Sequence, residues 1–223
     1  MYVPWKGYFD IMQRVDEFVL YDEVQFIKRF WFNRNQIKTP HGLKWLTIPV
    51  EVKGKRLQAM KDVRISDPKW AENHWKTIQF AYGKTPYYPE YKDAIEALYR
   101  QSTMVFLSEV NCHFLRGLCK ILGIDTAISW SMDYPSQSQD PTTRLSEICQ
   151  ATNATHYLSG PSAQNYIKKE VFELAGIELQ YMDYAGYPEY PQPHPPFSHA
   201  VSVIDLLFCR GSASAEAIWG WRL

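Results

Sequence analysis

Hydrophobic and polar positions follow two rhythms along this chain. Phe9, Ile11, Met12 and Val15 share roughly one helical face, which predicts a short helix over 8–15. Phe18-Val19-Leu20-Tyr21 is an apolar run of strand length closed by Asp22. Residues 23–52 read as β structure, with Thr39-Pro40-His41-Gly42 as the turn between two strands. Helical spacing returns over 69–82 through Trp70, His74, Trp75, Ile78 and Ala81, then over 90–100 and over 104–122, where Gly123 is the stop. The last third repeats the alternation: a strand over 124–130, a helix over 142–152, a strand at His156-Tyr157-Leu158, a helix over 163–175 and a strand over 177–182. A Pro-dense stretch from Pro188 to Pro196 follows, then a helix over 200–208. Strands alternating with helices predict an α/β fold with a partly parallel sheet, flanking helices and a β-hairpin insertion. No internal repeat and no flexible linker is visible, so residues 1–223 read as a single domain. A loop–helix–strand unit of this kind is normally preceded by a strand, and residues 1–9 supply none. The expectation is that this domain lacks its first strand.

Composition narrows the possible partners. The chain has 223 residues and balances 24 Lys and Arg against 24 Asp and Glu, with 46% hydrophobic residues. That is enough apolar matter for a core and too little net charge for disorder. A neutral balance argues against a nucleic-acid binder, which needs a basic face, although a local basic patch is compatible with it. The four cysteines are scattered, with no C-x-x-C pair, so reduced thiols are expected and no metal site is read. No apolar stretch has the length of a membrane span and no signal peptide is visible, so a cytoplasmic location is the default expectation.

Two segments carry candidate chemistry. Asp22 closes an apolar strand, where an open α/β sheet displays ligand contacts, and Gln25, Lys28, Arg29, Asn33, Arg34 and Asn35 follow. In an extended segment Asn33 and Asn35 share a face and Arg34 takes the other. Carboxamides can read a polar ligand and Arg can clamp a carboxylate or phosphate. A polar hairpin edge gives the same pattern. Ser159 and Gly160, in Leu158-Ser159-Gly160-Pro161-Ser162, join a strand to a helix and can present backbone amides to an anion. The spacing is that of neither a phosphate-binding glycine motif nor a nucleophile elbow. His74 is a candidate base beside Trp75, though a lone His on an aromatic helix face also fits a hydrogen-bonded core residue.

The motifs together resemble the WbqC-like protein family. They are Pro4-Trp5-x-Gly7-Tyr8-Phe9, Phe18-Val19-x-Tyr21-Asp22-x-Val24-Gln25-Phe26 and Trp31-x-Asn33-Arg34-Asn35-x-Ile37-Lys38-Thr39-Pro40-x-Gly42. Trp45-Leu46-Thr47, His74-Trp75, Tyr82-x-x-x-Pro86-Tyr87, Tyr157-Leu158-Ser159-Gly160-Pro161, Tyr190-Pro191-Gln192 and Ser202-Val203-Ile204-Asp205 continue the series in order. The resemblance implies a place in surface-polysaccharide (O-antigen) or related biosynthesis, and transfer of glycine or another amino acid onto an amino-sugar or sugar nucleotide. It then implies an amide-forming acyl or aminoacyl transferase. Asp22 or His74 would be the base, with Gln25, Asn33, Arg34, Asn35, Ser159 and Gly160 holding substrate. The activated donor would be an adenylate or a thioester on an acyl carrier protein, and no cofactor is indicated. The opening also looks like the Rossmann-like nucleotidylyl-transferase group, but Trp5-Lys6-Gly7-Tyr8 lacks that group's histidine. A nucleotide-dependent ligase or nucleotidyltransferase, and a non-catalytic partner of a biosynthetic complex, are the rival readings.

Overall fold

The computed structural model describes residues 1–136 and 138–222. In chain order the main elements are α1 (Lys6–Gln13), β1 (Glu17–Leu20), β2 (Arg34–Thr39), β3 (Gly42–Thr47), α2 (Trp70–Tyr82), α3 (Tyr88–Arg100) and α4 (Leu107–Leu122). They continue with β4 (Ala127–Trp130), α5 (Pro141–Ala151), β5 (His156–Ser159), α6 (Lys169–Leu174), β6 (Glu178–Tyr181), α7 (Val203–Arg210) and α8 (Ser214–Ile218). The fold is α/β: small parallel and antiparallel sheets flanked by helices. Among the described residues the strands form three two-stranded sheets. β1 pairs with β4 and β5 with β6 in parallel, while β2 and β3 form an antiparallel hairpin. The parallel strands have only four residues each. Their neighbours are chosen by tertiary packing, which period-2 patterning cannot read.

The chain divides into two compact units, one of residues 1–10, 22–125 and 187–223, the other of residues 11–21 and 126–186. In the larger unit, the α2 residues Trp70, His74, Trp75, Ile78, Ala81 and Tyr82 are buried, the stripe that helical spacing predicts. Tyr2, Trp70, Tyr99 and Phe114 form an edge-on aromatic core, with Tyr99 and Phe114 centroids 4.8 Å apart. In α7, residues Val203 to Cys209 are all buried, so this helix is covered on every side. Ser202 caps it, its hydroxyl accepting from Ile204 N at 3.3 Å. Gly211 ends it at φ 56°, and a Cβ there would lie 2.3 Å from the Tyr87 ring, so this position needs glycine twice over. The hairpin turn is closed by the Thr39 hydroxyl donating to Gly42 O at 2.8 Å, with Gly42 at φ 98°.

The smaller unit has its own core of Cys149, Ala163, Ile167, Phe172 and Ile177, with Tyr157 stacked on Phe172 at 5.1 Å. Asp140 caps α5, accepting from Thr143 N at 3.0 Å ahead of Pro141 at the first helical position. The helix expected over 163–175 is a short 3-10 turn, Pro161–Asn165, and then α6. No helix among the described residues is long and apolar enough to cross a membrane.

Candidate functional site

In the larger unit, three segments distant in sequence are laced together by backbone hydrogen bonds. Tyr2 N donates to Trp31 O at 3.2 Å, Val203 N to Pro4 O at 2.9 Å, and Ser202 N to Gln36 O at 2.8 Å. The Asn35 side-chain amide reinforces the first segment, donating to Val3 O at 2.8 Å and Tyr2 O at 3.3 Å, while its oxygen accepts from Gln36 N. Val3 has φ 32°, a strained value for a β-branched residue, and the Asn35 clamp holds it there. The lacing fixes where α1 starts, and therefore where Lys6 stands.

Lys6 is 3% exposed. Its ammonium donates to Pro188 O at 3.2 Å and lies over the rings of Tyr187 and Tyr190, 4.8 and 5.4 Å from their centroids. Burial pulls its pKa down to about 8, against the charge of Asp205, which pulls the other way. One helical turn on, the buried carboxylate of Asp10 accepts from the Tyr187 hydroxyl. Asp205 is fully buried in α7. It accepts from Tyr190 OH at 2.6 Å, Tyr82 OH at 2.7 Å and Gln192 Nε2 at 2.8 Å. Burial raises its pKa, opposed by those three donors and by the charge of Lys38. Lys38 is 2% exposed; its backbone N–H donates to Tyr82 OH at 2.9 Å and its ammonium to Pro196 O. Two lysines and two aspartates thus meet three tyrosines under the Pro-dense segment. Such a cluster shares protons among buried donors and acceptors whose affinities burial has shifted, a feature of reactive sites.

The residues expected from the sequence occupy definite places. His74 is buried on α2, Nε2 3.2 Å from Thr47 O and Nδ1 2.8 Å from Tyr2 OH. A carbonyl only accepts, so Nε2 carries the proton and Nδ1 accepts from Tyr2, whose oxygen accepts in turn from Tyr99 at 2.8 Å. Burial lowers the His74 pKa to about 4, so the ring is neutral and both nitrogens are engaged. The unfolded histidine takes a proton near 6.5 and the folded one only near 4, so stability is highest above pH 6.5 and is lost as pH falls toward 4. The expected loss is about 3 kcal/mol. Urea unfolding across that window should flatten in His74→Gln; an unchanged slope in the variant would assign the effect elsewhere.

Asn33 Nδ2 donates to Ile48 O at 2.8 Å, tying the open end of the hairpin, while its Oδ1 is buried with no partner. Arg34 lies with its guanidinium 4.0 Å from the Trp45 ring centroid, and Trp45 in turn contacts Trp31 at 5.1 Å. Cross-strand register explains the stack: Arg34 opposes Thr47 and Gln36 opposes Trp45, so all four share one face. Arg34→Lys should lower stability by about 1 kcal/mol through loss of the flat stack, a fall in melting temperature of about 3 °C. A variant melting with the parent would leave Arg34 free of a structural role. Gln25 is exposed and donates to Arg56 O at 2.9 Å. The Asp22 carboxyl is half-buried and burial raises its pKa. Ser159 and Gly160 belong to the smaller unit, where Ser159 ends β5, its carbonyl accepting from Met182 N at 2.8 Å.

A groove of about 820 Å³ in the larger unit runs along α2 and α3, lined by Trp75, Lys76, Gln79, Glu96, Tyr99 and Arg100 among others. None of the sequence-expected residues lines it, and it carries no cluster like that at Lys6. Among the described residues no group of three or more His, Cys, Asp or Glu is placed to hold a metal ion. Lys6, Lys38, Tyr82, Tyr190, Gln192 and Asp205 were not singled out by residue type. Lys38, Tyr82, Tyr190, Gln192 and Asp205 are named positions of the motifs quoted above, and that convergence was the available signal; Lys6 falls at the unspecified position between Trp5 and Gly7.

A family model for the WbqC-like protein family matches residues 1–217. The uncharacterized protein Rv1507c of Mycobacterium tuberculosis is 40% identical over 215 residues, covering 96% of this chain and 93% of the relative. No solved structure matches. With the motifs in order and the match spanning nearly every residue, the chain is a member of the WbqC-like protein family.

Proposed function

We propose that this protein is a biosynthetic enzyme forming an amide between an activated amino acid, glycine being the simplest, and the amine of an amino-sugar or sugar nucleotide, in surface-polysaccharide or related biosynthesis. The observation that carries the reading is the buried Lys6 side chain, packed on two tyrosine rings beside a buried aspartate, with its pKa brought down by burial to about 8, so that a neutral fraction is available near pH 8. An amino-sugar amine is protonated at neutral pH and must lose a proton before it attacks. A lysine poised near 8 accepts that proton without a large mismatch in basicity. The amine nitrogen bonds to the donor carbonyl carbon, the thiolate or AMP leaves with its electron pair, and the nitrogen's second proton passes to the departing group or to solvent. Asp205 holds the Tyr190 ring under the Lys6 ammonium and is a positioning residue.

The Asp22 carboxyl is the second acid–base candidate on this reading, and the Ser159-Gly160 turn a site for an anionic group. Residues 1–223 act as one functional domain, with the parallel pairs arranged in Rossmann-like fashion and the β2–β3 hairpin as an insertion. The test is mass-spectrometric detection of the amide after incubation with nucleotide-linked amino-sugars and glycine. Glycine is supplied either as a thioester or with ATP. Amide from the thioester supports transfer. Amide only with ATP and pyrophosphate release points to the ligase. No amide under either condition overturns the reading.

A further inference from the structure

The chain is neutral as a whole, but its charge is unevenly placed. Between Val24 and Leu57 lie eight of its 24 basic residues and one of its 24 acidic residues. Two turns in this stretch carry the same local pattern, a Lys-Arg pair next to large apolar side chains: Ile27-Lys28-Arg29-Phe30 and Lys55-Arg56-Leu57. The fold places the two turns side by side. Phe26 N donates to Gln58 O at 3.0 Å, and the Gln25 amide donates to Arg56 O at 2.9 Å. All of the named basic side chains are exposed. So are the apolar ones: Leu57 is 81% exposed, Ile27 53% and Phe30 42%.

Large apolar side chains grouped at that exposure, rather than scattered singly, mark an interaction surface. Here they stand on turns beside Lys28, Arg29 and Arg56, with Lys55 paired to Glu51 at 2.6 Å, and none of them lines the groove along α2 and α3. A partner helix needs a groove to lie in. A bilayer surface needs only projecting apolar tips and basic neighbours at headgroup level. We infer that the paired turns at 27–30 and 55–57 form a docking surface for an anionic lipid membrane. Ile27, Phe30 and Leu57 enter the boundary between headgroups and acyl chains, and Lys28, Arg29 and Arg56 pair with lipid phosphates. The protein would then work on the membrane face without spanning it. This inference does not rest on the proposed chemistry.

Co-sedimentation with vesicles tests it. Vesicles of equal parts phosphatidylglycerol and phosphatidylcholine should bind the protein, and pure phosphatidylcholine should not. Replacing both Lys28 and Arg29 by Gln should weaken binding about 25-fold, near fivefold per basic side chain. Leu57→Ser should weaken it about tenfold. That side chain stands in solvent, so the melting temperature should stay with the parent. No sedimentation with the anionic vesicles overturns the inference. So does normal binding by Leu57→Ser, which would reduce the surface to a basic patch that binds polyanions. Retention by an acidic protein in place of vesicles also overturns it.

Discussion

Replacing Asp205 by alanine is expected to lower stability by about 3–5 kcal/mol, the cost of breaking a buried polar network by removing its charged centre. The carboxylate is fully buried and accepts from Tyr82, Tyr190 and Gln192. Alanine leaves the Tyr82 and Tyr190 hydroxyls with no acceptor in a site that water does not readily reach, while the Gln192 amide keeps Ser198 O at 3.1 Å, and it opens a cavity beside Phe208 and Cys209. For a chain of this size the melting temperature should fall by about 10 °C. Tyr190→Phe removes a single donor and should cost about 1–1.5 kcal/mol. Thermal melts of the two variants make the comparison. Asp205→Ala melting within a few degrees of the parent would mean that the three donors find other partners, and that the cluster is not a cooperative unit.

Lys6→Met should give the opposite combination: activity reduced about 10²–10⁴-fold, as for loss of a general base, with stability equal to or above the parent. Methionine fills a similar volume and has no ammonium to desolvate. The pH dependence has a definite sign. Folded Lys6 releases its proton near 8 and the unfolded lysine near 10.5, so between these values the unfolded chain holds more protons. Stability contributed at this site therefore rises with pH from about 8 to 10.5, and below that window the burial penalty is present in full. In Lys6→Met that rise should vanish, along with any limb near pH 8 in the rate profile. Should the variant keep the parental rate, or lose stability without losing rate, Lys6 is a packing residue and the base must be sought at Asp22.

Much of the element order was legible in the sequence because helix and strand periodicity are local. Apolar spacing over 69–82 anticipated α2 within a residue, and Thr39-Pro40-His41-Gly42 anticipated the hairpin turn. The roles of the polar residues were less legible. Asn33 and Asn35 read as ligand-contacting carboxamides, and their amides hold the carbonyls of Ile48, Tyr2 and Val3. Residue type offers a donor; only the folded backbone says which acceptor would otherwise be left bare. His74 admitted both a catalytic and a core reading, and its engaged nitrogens favour the second.

The sequence by itself determined an α/β chain with its helices and strands in order and the motifs of one family, because each of these is written over spans of a few to a few dozen residues. Only the tertiary structure decided the site. By sequence Lys6 lies in the loop ahead of the helix expected over 8–15, Tyr190 and Gln192 look like residues of an irregular Pro-dense loop, and Asp205 like a helix-face acid. They meet because Asn35, Pro4 and Val203 draw three distant segments into register. Burial then makes the chemistry, since a lysine and an aspartate change their proton affinities only when water is removed from around them. That removal depends on long-range packing, which local pattern does not encode.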